Sequence, residues 1–215
     1  MLLCWEVTME TYPQPVMENI LPLSLAKTLP EAFTEWFFTE KTIDYGSPIA
    51  KCNLCDNEKL RYHFEINNEN NGNKLFIGSK CIIKFQLRVF ENGNVLSTKG
   101  VIKKLNRLIN DMRKVSCIKA LVEIASFENN NILKSALAYY QKHQYLTPKF
   151  AFVVFWRLKK TSIDFTESFF KITLKTESNK RDLKEMPHER VLMFWNALSP
   201  AQKKIAQQLG HKPPI

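Results

Sequence analysis

Three cysteines constrain the fold of this chain more than any other residues. Cys52 and Cys55 form a Cys-x2-Cys pair, and Cys81 follows in the segment Gly78-Ser79-Lys80-Cys81. Two thiolates three residues apart can bind one ion from a tight turn, and a third thiolate from a distant turn closes the intervening chain around that ion. Zn2+ suits such a site because it takes about four nitrogen or sulfur ligands. The pattern predicts a small module folded around a structural zinc ion.

The fourth ligand of this predicted site is open. His63 lies between the cysteines in the sequence and is the first choice. Cys117 is the second choice, and Cys4, Asp56 and a water molecule are further candidates. No Glu or His is spaced as in the H-E-x-x-H signature or in the signature of the zinc deaminases. A structural metal is therefore favoured over a catalytic one.

The cysteine segment resembles a small zinc-binding segment of uncharacterised proteins from low-GC bacteria, their phages and mobile elements. That segment has a C-x-x-C pair, a short strand with Arg-Tyr, a loop and a G-S-x-C turn. The matching residues here are Cys52, Cys55, Arg61, Tyr62, Gly78, Ser79 and Cys81. A looser similarity exists to zinc segments beside DNA-processing nuclease domains, which carry an extra Cys or His where this chain has Ser79 and Lys84. The resemblance implies a zinc knuckle in a nucleic-acid context.

Hydrophobic patterning predicts an α+β fold that is mostly α, with a small zinc-bound β-hairpin module followed by a multi-helix domain. Three regions are expected: an N-terminal arm with helices over 1–42, the knuckle with its hairpin and helix over 43–95, and a basic helical domain over 96–215. Glu31 to Phe38 reads as a helix and Ile43 to Lys51 as a loop.

Alternation of apolar and polar residues predicts a half-buried strand over 60–66, and a return strand over 74–77 completes the hairpin. A helix is expected from Cys81 to Leu87. Further helices are expected over 101–115, 117–127, 132–145 and 148–158, and after Pro200. In the first of these, Val101 and Leu105 begin an apolar stripe that continues through Leu108 and Met112.

Composition and cysteine usage indicate a globular, cytoplasmic protein. Hydrophobic residues make up 45% of the chain, which excludes a disordered class. Five widely spaced cysteines do not form a secreted disulfide framework. Neither a signal peptide nor an apolar run long enough for a membrane span is evident. Met9 and Met17 are alternative translation starts.

The charge distribution suggests a polyanionic partner. The net charge is +10, and it arises from −5 over residues 1–50 (2 basic, 7 acidic) and +15 over residues 51–215 (29 basic, 14 acidic). A basic body of this kind is typical of proteins that contact nucleic acid. The candidate phosphate contacts are Lys103, Lys104, Arg107, Arg113, Lys114, Lys203 and Lys204, with Lys212 nearby.

These features favour a non-enzymatic, zinc-binding accessory protein that binds DNA or RNA, of a phage, mobile element or low-GC bacterium. No phosphate-binding loop, dinucleotide fingerprint or nucleophile elbow is present. One alternative is an adaptor or inhibitor that acts on a host protein complex and docks through Phe33, Trp36 and Phe37 of the acidic segment over residues 31–40. Another is an enzyme with an open zinc site, in which His63 would be free.

Overall fold

The computed structural model describes residues 12–214 and divides the chain into two units at Met112 and Arg113, within one long helix. The predicted class is confirmed, since a small sheet is combined with a larger number of helices. The expected boundaries after residues 42 and 95 do not coincide with this division. The described part of the N-terminal region, the cysteine module and the first half of the long helix all belong to the first unit.

The first unit consists of short helices around a small sheet. Its elements are α1 (Gln14–Ile20), a 3₁₀ turn (Leu21–Leu23), α2 (Leu29–Thr34), β1 (Trp36–Asp44), β2 (Tyr62–Asn68), β3 (Lys74–Ile77), α3 (Ser79–Lys84), β4 (Phe90–Glu91), β5 (Asn94–Val95) and the start of α4 (Thr98–Phe127). The main sheet is antiparallel in the order β1-β2-β3, and β4 and β5 form a separate two-stranded sheet. The predicted hairpin is therefore the β2–β3 half of a three-stranded sheet.

Strand β1 replaces the last part of the helix that was predicted over 31–38. Only the first part of that segment is helical, in α2, and the chain is extended from Trp36 onward. Trp36 and Phe38 alternate with their neighbours and are buried, while β1 pairs with β2 along Trp36↔Asn68 and Phe38↔Ile66. The helical prediction holds over residues 31–34 and was wrong from Trp36 onward, because the spacing of the aromatic residues fits both periods and the pairing with β2 decides between them.

Glu35 anchors the chain where α2 gives way to β1. Its carboxylate is buried and accepts hydrogen bonds from Leu25 N at 2.9 Å and from Ala26 N and Asn68 Nδ2, both at 2.6 Å. The Asn68 amide comes from β2, so one carboxylate ties three segments together. Burying a charge is tolerated here because its oxygens are hydrogen-bonded.

Strand β2 is covered on both faces, whereas the alternation predicted a half-buried strand. Phe64 and Ile66 face the core as expected, but His63 and Glu65 are also only 5% and 4% exposed. The Glu65 carboxylate contacts Lys41 Nζ at 3.1 Å and Lys74 Nζ at 3.6 Å. Polar side chains of β2 are thus buried by pairing with neighbours, which a reading of hydrophobicity alone does not foresee.

The core of the first unit joins the sheet to the helices. Large buried side chains from β1, β2 and β3 meet the apolar stripe of α4, in which Val101 and Leu105 are buried and Leu108 and Met112 pack against the cluster. Cys52 and Cys81 belong to the same cluster. The cysteine module is therefore part of the main core of this unit.

The second unit is helical. It contains the rest of α4 and then α5 (Asn131–His143), α6 (Pro148–Lys159), a 3₁₀ turn (Glu167–Phe169), α7 (Glu177–Glu185), α8 (His188–Leu192), a 3₁₀ turn (Trp195–Ala197) and α9 (Pro200–Gln208). The expected caps are present. Thr147 Oγ1 accepts a hydrogen bond from Phe150 N, and Ser199 and Gln202 form a reciprocal capping box. The helices predicted over 101–115 and 117–127 are one continuous helix.

Candidate metal centre

Three sulfur atoms converge in the first unit. The Sγ atom of Cys81 lies 3.8 Å from that of Cys52 and 3.3 Å from that of Cys55, and all three lie within 4.8 Å of one another. Sulfurs bound to one tetrahedral zinc ion are about 3.8 Å apart, given Zn–S bonds of about 2.3 Å. Within residues 12–214 no other group of three or more His, Cys, Asp or Glu side chains is this close. The cysteines that the sequence predicted together are brought together.

Backbone pairing closes the loop that carries the first two cysteines. Ala50 and Leu60 exchange hydrogen bonds of 2.9 and 2.8 Å, so the segment between them leaves and returns at one point. Asn53 then fixes this loop to β3, because its N donates to Phe76 O and its Oδ1 accepts from Phe76 N. The Cys-x2-Cys turn is therefore held against the hairpin.

The third cysteine reaches the cluster from the first turn of α3. Gly78 precedes this helix, and a Cβ atom at that position would lie 3.2 Å from Leu60 Cδ1. A Cβ atom there would require the Leu60 side chain to shift by a few tenths of an ångström, so glycine suits the close packing of the loop beside α3.

The thiols of Cys52 and Cys81 shift each other's pKa in opposite directions. Hydrogen bonding from the Cys81 thiol lowers the pKa of Cys52 to about 5, against the effect of burial, and backbone N–H groups of Cys55, Gly78 and Leu54 contribute. The same contact, together with burial and the nearby Cys55, raises the pKa of Cys81. The hydrogen bonds that converge on Cys52 favour its deprotonated form, which is the form that binds a divalent cation.

His63 lies outside the cluster. Its Nδ1 is 3.1 Å from Tyr45 Oη and its Nε2 is 3.0 Å from Lys51 O, so both ring nitrogens are occupied. The ring is buried between Tyr45 and Phe76. Because Lys51 precedes Cys52, His63 supports the backbone next to the site and is not positioned as the fourth ligand.

Cys117 and Asp56, also considered as the fourth ligand, lie away from the three sulfurs. Cys117 is buried in the core of the second unit, and burial raises its pKa to about 12. Asp56 is exposed and contacts Lys51 Nζ at 3.1 Å. Cys4 lies outside the described residues. The cluster thus presents three of the four ligands that zinc usually takes.

A cavity of about 500 Å³ adjoins the three cysteines. Cys55 is partly exposed, whereas Cys52 and Cys81 are buried. The remaining lining residues are Pro13, Asn57, Lys59, Leu60, Arg61, Tyr62, Gly78, Ser79, Lys80, Lys84 and Phe85. The cysteine centre therefore borders a space that is lined by four basic side chains and by no Asp or Glu.

No protein-family model, curated protein or solved structure matches this chain. The function must therefore be argued from the site itself. Among the described helices, none combines the length and apolar character that crossing a membrane requires.

The basic residues expected to contact phosphate have different environments. Lys103 is exposed on α4, but the adjacent Lys104 is 6% exposed, pairs with Glu40 and donates to Phe90 O. Lys104 is therefore a structural cation, and its assignment as a surface contact is corrected. Arg107 remains exposed and contacts Glu91 Oε1 at 2.8 Å.

The second unit contains the other predicted contacts. Arg113 pairs with Asp164 through two nitrogens, at 2.9 and 2.5 Å, and Lys114 Nζ lies 5.4 Å from the centre of the Tyr140 ring. Lys203 is half-buried, and Lys204 is exposed on α9. Much of the expected basic helix face is thus engaged in pairs within the protein.

Of the three aromatic residues considered as a docking element, Phe33 and Trp36 are in the core and Phe37 is partly buried. Trp36 is fully buried and donates from Nε1 to Ser24 Oγ at 2.9 Å, and Phe33 stacks on Phe85 with ring centres 4.9 Å apart. Side chains in these positions cannot anchor a partner on the folded surface. The sequence-based argument for an adaptor loses its main support.

Proposed function

We propose that this protein is a non-enzymatic zinc-binding protein that contacts nucleic acid. The convergence of the Cys52, Cys55 and Cys81 sulfurs is the observation that supports this proposal best. Zn2+ bound there would link the loop closed by Ala50 and Leu60 to α3. Its role would be structural and not catalytic. Because the cysteines belong to the core of the first unit, zinc binding would stabilise the fold of that unit.

Nucleic acid is the partner that the charge favours. The chain carries a net charge of +10, and exposed basic residues remain at Lys103 and Arg107 on α4 and around the cysteine cavity. Lysine and arginine contacts to phosphates supply most non-specific affinity for nucleic acid, and they make this affinity fall steeply with salt.

The decisive experiment combines metal analysis with binding. Purified wild-type protein should contain about one Zn2+ per chain. The Cys81→Ser variant should lose the metal, and Cys117→Ser, a buried cysteine of the second unit, should retain it. The same samples are tested for binding to DNA and RNA at about 50 and about 200 mM salt, where affinity should fall at least tenfold.

The two parts of the proposal fail separately. Wild-type protein without metal, or Cys81→Ser with the full metal content, would exclude the zinc centre. Binding that is absent or independent of salt would exclude nucleic acid as the partner.

A further inference from the structure

We propose that the cavity beside the cysteine centre is a phosphate-binding site, in which Lys59, Lys80 and Lys84 hold a phosphate group of the nucleic acid. This inference rests on the proposed function and deepens it by assigning the contact point. It also adds a contact point outside the helix face predicted from the sequence, on which Lys104 and Arg113 form ion pairs within the protein.

The lining of the cavity has an unbalanced charge. Four basic side chains line it, and Asp and Glu are absent from the lining. Arg61 is committed to Asp44, with Nε–Oδ1 and Nη2–Oδ2 distances of 2.9 and 3.2 Å. Within residues 12–214, none of the three lysines forms an ion pair with a carboxylate, and all three are exposed.

The metal centre does not cancel this charge. Three thiolates and one Zn2+ ion sum to one negative charge, whereas the three ammonium groups carry three positive charges. A cleft lined by one sign of charge attracts the opposite ion. The cavity therefore favours an anion even when the cysteines are deprotonated.

The position of the lysines in the chain links them to the cysteines. Lys80 and Lys84 lie on α3 on either side of Cys81. Lys59 lies in the loop of Cys52 and Cys55, next to its closing residue Leu60, and has a left-handed backbone with φ of 64°. Zinc binding would fix α3 and this loop relative to each other, and with them the backbone positions of the three lysines.

The size and lining suit a phosphate within a polymer. About 500 Å³ exceeds the space that one phosphate needs and leaves room for an adjoining sugar or base. Ser79 and Asn57 add hydroxyl and amide groups to the lining, and the partly exposed Tyr62 adds an aromatic ring. Lysines bind phosphate as point charges, and nucleic-acid bases stack on aromatic rings without sequence preference.

The test replaces the three lysines with Gln and measures binding of a short single-stranded DNA, its duplex and inorganic phosphate. The matched control replaces three exposed lysines of the second unit, Lys119, Lys142 and Lys175, and removes the same charge. We expect the cavity variant to keep its zinc and its circular dichroism spectrum. The slope of log affinity against log salt should decrease by about 0.7 to 0.9, the value for one lost phosphate contact.

Each outcome is informative. Equal binding by wild type and cavity variant, or equal losses in the cavity and control variants, would overturn the inference while leaving the zinc centre and nucleic-acid binding in place. If wild-type protein binds inorganic phosphate through these lysines but binds no nucleic acid, the phosphate site stands and the proposed function fails. Binding of inorganic phosphate is measured by the broadening of its phosphorus NMR line.

Discussion

The carboxylate of Glu35 lies 2.6 Å from the side-chain nitrogen of Asn68, and both residues are buried. This contact joins the residue before β1 to the last residue of β2. Two further hydrogen bonds, from Leu25 N and Ala26 N, end on the same carboxylate. The start of the sheet therefore depends on one charged group, although nothing in its sequence neighbourhood distinguishes Glu35 from the exposed Glu31.

We predict that Glu35→Gln destabilises the first unit. In the variant, an amide NH2 group replaces one of the carboxylate oxygens that accept hydrogen bonds in the wild type. A hydrogen bond to a charged group contributes about 1.5–3 kcal/mol. The free energy of unfolding in urea should fall by about that amount. Glu123→Gln, at an exposed position of α4, is the control and should change stability by less than about 0.5 kcal/mol. Equal stability of the two variants would contradict this role.

The same carboxylate predicts a pH dependence. Burial would raise the pKa of Glu35, but hydrogen bonds from Asn68, Leu25 and Ala26 outweigh it, so that the pKa lies below the ordinary 4.5. The unfolded chain then binds protons more readily than the folded one. The stabilisation is complete above about pH 4.5 and is lost as the pH falls through the lower folded pKa.

Unfolding measurements at several pH values check this prediction. The stability difference between wild type and Glu35→Gln should be largest near neutral pH and shrink below about pH 4. Because both proteins keep all three cysteines, loss of metal in acid affects them alike. A difference that stays constant down to about pH 3 would show that Glu35 does not cause the pH dependence.

We predict that the metal is bound by three sulfurs and one lighter atom. The described residues supply only Cys52, Cys55 and Cys81, and both nitrogens of His63 are occupied. X-ray absorption of the zinc protein should fit three sulfur ligands and one oxygen or nitrogen. Cys4→Ser and Cys117→Ser should leave this spectrum unchanged. Four sulfurs in wild type, with one lost in either variant, would identify the missing ligand as that cysteine.

Lys103 and Lys104 are neighbours on α4 with opposite expected roles. Lys104 is buried against Glu40 and Phe90 O, so Lys104→Gln should lower the free energy of unfolding by about 1–3 kcal/mol, as expected when buried partners lose a hydrogen bond. Its effect on the salt slope of nucleic-acid binding should be negligible.

The exposed Lys103 provides the matched comparison, because Lys103→Gln removes the same charge one residue away. Its stability should stay within about 0.5 kcal/mol of wild type. Any contact of Lys103 with phosphate would appear as a decrease of up to about 0.9 in the salt slope. Similar stability losses in the two variants would contradict the assignment of Lys104 as the structural member of the pair.

The sequence by itself determined the local features of this protein. The spacing of Cys52, Cys55 and Cys81 predicted their convergence, and the return strand β3 and the caps at Thr147 and Ser199 were found where the sequence placed them. These features follow from ligand number, turn chemistry and hydrogen bonds that span three or four residues. The caps depend on residues that are close in the chain, and the cysteines carry a recognisable ligand spacing although Cys81 lies 26 residues from Cys55, so a pattern can reveal both.

Only the tertiary structure decided the long-range features. Trp36 became part of a strand because β2 was available to pair with it, and Lys104 became a buried cation because Glu40 reaches it from β1. His63 contacts Tyr45 Oη and Lys51 O and therefore does not join the cysteine cluster. In each case the fate of a side chain depends on a partner distant in sequence, and its pairing free energy outweighs a local propensity of less than about 1 kcal/mol.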